Sequence, residues 1–298
     1  MLEIKKYAAI DIGSNAIRLL ISNVIVEKDK EPQFRKSSLV RVPIRLGADT
    51  FVSGEITHTN IQRMIDAMEA FKLLMNINNV EKYKACATSA MREAINGKEV
   101  AKEIFKKTGV EIDIIGGKKE AAIISSTDLN ELIEGDSSYL YVDVGGGSTE
   151  FTIFSKGRII NSKSFKIGTV RLINNSKSEN KIIYKDVQKW VEENTKNLKK
   201  LSLIGSGGNI NKLFKMSGRT IGKPISYIYL NAQYQFLKNM SFNDRVSELS
   251  LNPDRADVII PATKIYLSAM KWSGARKIFV PKIGLADGII KGLHHNKL

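Results

Sequence analysis

One stretch, YVDVGGGSTEF from Tyr141 to Phe151, restricts the fold more than any other part of the chain. Tyr141, Val142 and Val144 are aromatic or β-branched and predict a short buried strand, which runs directly into Gly145, Gly146 and Gly147. Lacking Cβ atoms, these glycines allow a sharp turn whose successive N–H groups converge on an anion. Ser148 and Thr149 add hydroxyl donors. Asp143 and Glu150 bracket the turn with carboxylates suited to a hard cation beside bound phosphate. Phe151, Thr152, Ile153 and Phe154 resume a strand pattern. On these residues alone, a phosphate cradle and an ordinary glycine-rich hairpin remain equally open.

A weaker copy of the arrangement lies near the N-terminus. Ala8 to Ile12 lead through Asp11 to Gly13, Ser14 and Asn15, and Ile17, Leu19, Leu20 and Ile21 continue as a second strand. Two copies of strand, Asp, glycine turn with Ser, strand predict two related halves whose turns face one cleft and a polyanionic ligand. A third glycine turn, LIGSGGNINKL from Leu203 to Leu213, opens a helix expected to begin at Asn209.

At 298 residues the chain exceeds one comfortable core, so two domains are expected. With 43% hydrophobic and 26% charged residues a packed interior is available. The single cysteine, Cys86, excludes a disulfide framework and a cysteine-based zinc site, and suits a reducing cytoplasm. Three histidines, two of them in a polar tail, argue against a histidine-centred metal site or triad. No stretch is long enough for a membrane span, and Asp11 interrupts the first apolar run before it resembles a signal-peptide core. The net charge of +15 favours anionic partners. Charge alone does not choose among polyphosphate, nucleotide and nucleic acid, but no aromatic residues interleave with the lysines in a base-stacking pattern, which disfavours nucleic acid.

Further elements follow from periodicity and caps. Ser38 to Leu46 alternates as a strand, and Thr57 and Thr59 cap a helix with Ile61, Met64, Ile65, Met68 and Phe71 on its apolar face. Tyr83 to Cys86 forms a strand leading to Thr88, Ser89 and a helix carrying Arg92 in its first turns. A helix start after a strand attracts anions, and Arg92 there adds a forked contact to phosphate; a surface ion pair with Glu93 or Glu99 is the alternative. Val110 to Ile115 is the next strand. Glu120 falls in the first turn of the following helix, where an acidic residue is stabilising without any chemistry. The segment from Ala121 to Ile133 is expected to be a connecting helix, 174–181 a polar loop, and Ile225 to Tyr229 a strand. A helix is expected from Val187 to Leu198, a longer one from Val258 to Trp272, a strand from Ile278 to Val280 and a final helix from Leu285 to His294. Arg171 reads equally as a solvent-facing helix residue and is not placed at the site.

At IDIGSN, VDVGGGSTE and GSGGN the chain resembles the phosphate and nucleoside motifs of the actin, sugar kinase and heat-shock chaperone ATPase superfamily. ACATSAMREAIN, IIGGKKEA, FKIGTVRL and DRADVIIP, from Ala85 to Pro261, are similar to further signatures of its exopolyphosphatase and guanosine pentaphosphate phosphohydrolase family, in that family's order. Ala262 and the GLADG of 284–288 depart from its usual residues.

The resemblance implies an α/β fold of two ribonuclease H-like, actin-like ATPase domains with mixed sheets flanked by helices and an interdomain cleft. The domains expected are 1–121 and 122–284, with the helix of about 285–298 packing on the first. The chain stops where longer relatives carry an additional helical domain, so a two-domain core is expected. Implied is the release of terminal orthophosphate from inorganic polyphosphate, with guanosine pentaphosphate as the alternative substrate. Glu120 is implied as general base with Arg92 neutralising charge. Ser14, Asn15, Gly145, Gly146, Gly147 and Ser148 are expected to bind phosphate, and Asp143, Glu150 and Asp11 to hold Mg2+ or Mn2+. Lys118 and Lys119 beside Glu120 are expected to weaken it as a base by stabilising its charge. An ATP-dependent kinase or chaperone-like ATPase, a non-catalytic sensor of polyphosphate or alarmone, and a homodimer stay open.

Overall fold

A computed structural model describes residues 2–125, 127 and 137–298. The connecting helix expected over 121–133 lies outside the described residues beyond Ser125, apart from Thr127. Contacts divide the chain into one unit of 1–127 with 285–298, and a second of 128–284.

The first unit is built on five strands in the order β3-β2-β1-β4-β5. β1 (Leu2–Ile12), β2 (Ile17–Glu27) and β3 (Gln33–Val42) form an antiparallel meander, while β4 (Lys82–Ala87) and β5 (Ile112–Ile114) add in parallel beyond β1. β1 is central, and Tyr7 to Ile12 is buried on both faces, so Asp11 sits within an otherwise apolar run. β3 is an exposed edge; Pro43, which has no N–H to offer a ladder, follows it. The strand expected at 38–46 therefore starts earlier and stops at Val42, and a short helix α1 (Leu46–Ser53) replaces its end. The Thr57 hydroxyl caps α2 (His58–Ile77), which buries Met64, Ile65, Met68, Phe71 and Met75 against the sheet core. α3 (Ser89–Glu93) and α4 (Gly97–Thr108) follow β4, and α5 (Gly117–Ser125) follows β5.

In the second unit β8-β7-β6-β9-β11 repeats that plan, with a two-residue β10 added at one edge. β6 (Ser138–Val144), β7 (Thr149–Ser155) and β8 (Arg158–Phe165) are antiparallel; β9 (Leu201–Ser206) and β11 (Lys277–Phe279) run parallel to β6. The β7–β8 turn is Lys156-Gly157, both with positive φ (51° and 71°), the backbone a two-residue hairpin loop needs. After α6 (Thr169–Asn174), the loop expected at 174–181 is instead the start of α7 (Lys177–Thr195). Ser176 and Glu179 form a reciprocal capping box there, a local signal that outweighs the polar composition of the segment. α8 (Gly208–Met216) follows β9. Ser226 caps α9 (Tyr227–Asn239), so the strand expected at 225–229 is reduced to β10 (Ile225–Ser226). α10 (Phe242–Ser247), α11 (Pro253–Ala256) and α12 (Ile259–Ser273) complete the helices of this unit, with α12 burying Ala262, Ile265, Tyr266 and Met270. Finally, α13 (Leu285–His294) belongs to the first unit and packs against α5 and β1. No helix among the described residues is long and apolar enough to cross a membrane.

Candidate functional site

In the first unit, the candidate groups gather at the carboxyl ends of the parallel strands β1, β4 and β5, where α/β sheets bind ligands. The β1–β2 turn occupies 13–16. Its Ser14 and Asn15 carbonyls accept from the N–H groups of Gly47 (2.8 Å) and Arg45 (3.1 Å). Ser14 is buried, and its Oγ lies 2.9 Å from Ser89 Oγ at the start of α3, so the turn is tied to the end of β4. Arg92 falls in the last turn of the five-residue α3 rather than at the start of a longer helix. Its Nη1 donates to Ile115 O at 2.6 Å, which links α3 to the segment leading into α5. Glu120 is buried in the first turn of α5, and its N–H donates to Gly116 O. Lys119 pairs with Asp113 at 2.8 Å and holds that carboxyl below its usual value, so its charge is directed to Asp113.

The second unit places its groups at the same end of its own parallel strands. The β6–β7 turn is Gly145 to Ser148, and Asp143 stands directly opposite Glu150 in the ladder. Carboxylates paired across a ladder have Cβ atoms about 5 Å apart and repel one another unless a cation intervenes. Ser148 Oγ and Ser164 Oγ each donate to Glu150 Oε1 at 2.8 Å, fixing a carboxylate that is 2% exposed. The turn itself is locked from beneath. Gly145 O accepts from Thr169 N (3.0 Å), Gly146 O from Val170 N (2.8 Å) and Arg171 N (3.1 Å), and Gly147 O from Arg171 Nε (2.9 Å). Gly168 permits this approach, because a Cβ there would lie 2.4 Å from the Gly146 carbonyl. With every glycine carbonyl engaged, the N–H groups of Gly146 and Gly147 donate to no acceptor among the described residues, as an anion cradle requires.

Behind the turn, Tyr266 O–H donates to Ser206 O, and Gly207 adopts φ +114°, where a side chain would crowd Val144 O and touch Asp143 Oδ1. Burial, followed by the charge of Asp143, pushes the hydroxyls of Tyr141 and Tyr266 well above their ordinary value. Both phenols are therefore neutral. Cys86 is buried, and desolvation moves its thiol up to about 12, leaving it inert.

Asp143 and Glu150 thus meet as a pair, whereas Asp11 belongs to the first unit and takes Arg18 Nη1 at 2.6 Å. No group of three or more His, Cys, Asp or Glu suited to a metal occurs among the described residues. The hard oxygens of Asp143 and Glu150 fit an ion such as Mg2+, which binds through one or two carboxylates and completes its shell with water and phosphate.

Sequence reasoning overlooked two groups and set a third aside. Arg18 occupies in the first hairpin the position of Glu150 in the second, which counting outward from the two turns reveals. Ser164 arrives from a third strand and has no local signature. Arg171, left off the site although it lies in the FKIGTVRL motif, donates to a carbonyl of the turn.

A profile of the Ppx/GppA phosphatase family matches residues 24–297. The bifunctional 3-dehydroquinate synthase/phosphatase of Fusobacterium nucleatum is 32% identical over 97% of this chain and 46% of its own length. Exopolyphosphatase 2 of Mycobacterium tuberculosis is 28% identical over 56% of this chain and 53% of its own. The chain spans about half the length of these curated relatives. An exopolyphosphatase structure from Cytophaga hutchinsonii superposes with a TM-score of 0.85 at 22% identity, covering 98% of each chain, and so shares the fold. With two mixed sheets built on one plan and nearly its whole length matched, the chain belongs to the Ppx/GppA phosphatase family.

Proposed function

We propose that this chain hydrolyses the terminal phosphoanhydride bond of inorganic polyphosphate and releases orthophosphate. The observation that carries this reading is the second glycine turn. Its carbonyls are tied down by α6, the N–H groups of Gly146 and Gly147 are unclaimed among the described residues, and Asp143 stands beside it opposite Glu150, which Ser148 and Ser164 hold by hydrogen bonds. Such a turn suits a phosphate that arrives with a divalent cation. The activity in the names of the M. tuberculosis and C. hutchinsonii relatives supports the same substrate.

In this reading Gly146, Gly147 and Ser148, with Ser14 and Asn15 from the first unit, engage phosphate oxygens. Arg92 spends one N–H on Ile115 O and offers the rest of its guanidinium to the developing charge. Glu120 takes a proton from water as the water oxygen bonds to the terminal phosphorus. The bridging oxygen leaves with the shortened chain. Asp143 and Glu150 would hold Mg2+ or Mn2+, which neutralises phosphate charge when bound. Burial of Glu120 and of Ser14 keeps bulk water away from both groups. The lone buried thiol suits a reducing compartment, and we place the protein in the cytoplasm.

The test is a phosphate-release assay with tripolyphosphate, long polyphosphate, guanosine pentaphosphate and ATP. Polyphosphate is expected to be the preferred substrate. Glu120→Gln is expected to reduce turnover by about 10²- to 10⁴-fold while the melting temperature stays unchanged. Turnover within a few-fold of wild type would remove Glu120 as the base.

A further inference from the structure

The two carboxylate oxygens of Glu150 are not equivalent. An ionised carboxylate offers about four lone-pair sites, shared equally between its oxygens. Ser148 Oγ and Ser164 Oγ both donate to Oε1, each at 2.8 Å, which claims the sites on that oxygen. A cation can then take Glu150 through Oε2 at most, and not through both oxygens together.

The two hydroxyls arrive by different routes. Ser148 closes the glycine turn two positions before Glu150, whereas Ser164 stands on β8 directly opposite Glu150 in the β7–β8 ladder. With Asp143 opposite Glu150 on its other side, the sheet sets Asp143, Glu150 and Ser164 in a row across β6, β7 and β8. Residues in register on neighbouring strands share a face, so the row brings the Ser164 hydroxyl to the carboxylate. The corresponding row of the first unit is Asp11, Arg18 and Arg41, which has no hydroxyl and no second carboxylate. β8 is an edge strand, and Ser164 is exposed on it and outside the hydrophobic core. Nothing in the packing of the strand therefore calls for a serine there, and its observed bond is to Glu150.

Hard cations differ in how they use a carboxylate. Ca2+ gathers about six to eight oxygens and commonly takes both from one carboxylate, while Mg2+ holds a tight octahedron that is filled largely by water. Confining Glu150 to one oxygen withdraws the first mode and leaves the second. Hydrogen bonds to a ligand from outside the coordination shell also fix its orientation, which favours the ion with the stricter geometry.

We propose that Ser164 is a positioning residue that makes the Asp143–Glu150 pair selective for Mg2+ over Ca2+, by holding Glu150 to a single available oxygen. This rests on the assignment of the two carboxylates to the cation within the hydrolase reading, and on no step of the hydrolysis.

The test uses the full chain without any phosphate compound. Bound Mn2+ is counted by electron paramagnetic resonance and then displaced with Mg2+ or with Ca2+, and the ion lost in Glu150→Gln marks the site. Ser164→Ala is expected to shift the ratio of the two displacement midpoints toward Ca2+ by about tenfold. Ser164→Thr keeps the hydroxyl and should keep the wild-type ratio. Ser164→Val has the shape of threonine without the hydroxyl, suits a strand, and should follow the alanine variant. An unchanged ratio in the alanine and valine variants, or the same shift in threonine and valine, overturns the role of Ser164 and leaves the cation site in place. Mn2+ that fails to bind the wild type, or that survives Glu150→Gln, overturns the role and the site together. The expected ratios in a protein that releases phosphate from no substrate would retain Ser164 and overturn the hydrolase reading.

Discussion

The two glycine turns are built alike and charged differently. In each hairpin a four-residue loop, 13–16 or 145–148, closes on an apolar or β-branched pair, Ile12 with Ile17 or Val144 with Thr149. The next pair outward is Asp11 with Arg18 in the first unit and Asp143 with Glu150 in the second. In each, carbonyls of the turn accept N–H groups from a segment at the start of a short helix, Arg45 and Gly47 in one case, Thr169 to Arg171 in the other. The first turn thus pairs its Asp11 with a cation across the ladder at 2.6 Å, while the second sets two carboxylates opposite one another, an arrangement suited to a bound cation. One backbone device serves in two ways: a self-neutralised turn holds its shape alone, and a like-charged turn gains most when metal and phosphate arrive together.

This contrast is open to test. The largest effect is expected from Asp143→Asn, which removes half of the carboxylate pair. Turnover should fall by about 10²-fold or more, and the Mg2+ concentration for half-activation should rise, as a metal titration of phosphate release would show. Unaltered metal dependence would end the assignment of Asp143 to the cation.

Next is Gly168→Ala, whose added methyl would lie 2.4 Å from the backbone of Gly146 and Gly147. A loss of about 3 kcal/mol in denaturant unfolding is expected. Gly13→Ala, with Ala16 O at 3.2 Å, should be tolerated better. Equal cost at the two glycines would mean that the second turn is no more tightly buttressed than the first.

Arg18→Met should destabilise by about 1 kcal/mol, since the pair is formed by a buried Asp11 and a half-buried Arg18. In metal-free solution Asp143→Asn should cost less than that, since it relieves repulsion from Glu150 across the ladder. An equal cost at the two positions would erase the distinction between the turns.

The smallest effect concerns Asp113, whose hydrogen bond from Lys119 lowers its carboxyl pKa below 3.8. A depressed folded value adds stability above 3.8 that is lost as pH falls through the folded value. Lys119→Met should flatten that part of the acid limb in a pH series of melting curves. At neutral pH it should leave turnover nearly unchanged, because Lys119 is engaged with Asp113; a large change would show that its charge acts on Glu120 instead.

Much of the fold was legible because its signals are local. The glycine turns, the strand residues around them, the Thr57 cap of α2 and the apolar stripe from Ile61 to Phe71 each act within a few residues. Where reading failed, one local signal overrode another. Ser176 and Glu179 start α7 inside a segment whose lysines and asparagines suggest a loop, and Ser226 starts α9 inside an apparent strand. The candidate site was legible in part. Asp143, Glu150, Ser14 and the glycines announce themselves, but the carbonyl lock by Arg171 and the Ser164 bond to Glu150 join residues 24 and 14 positions apart.

By itself the sequence determined that two strand-turn-strand copies exist, which residues flank them, and that carboxylates would stand beside glycine-rich backbone. Periodicity and residue type suffice for that, because they act through φ/ψ preference and burial. Tertiary structure alone decided what each carboxylate faces. Cross-strand register set Arg18 against Asp11 and Glu150 against Asp143, and the packing of α6 beneath the second turn engaged its carbonyls. A charge acquires its role from its neighbours in space, and those are fixed only when strands pair and helices dock.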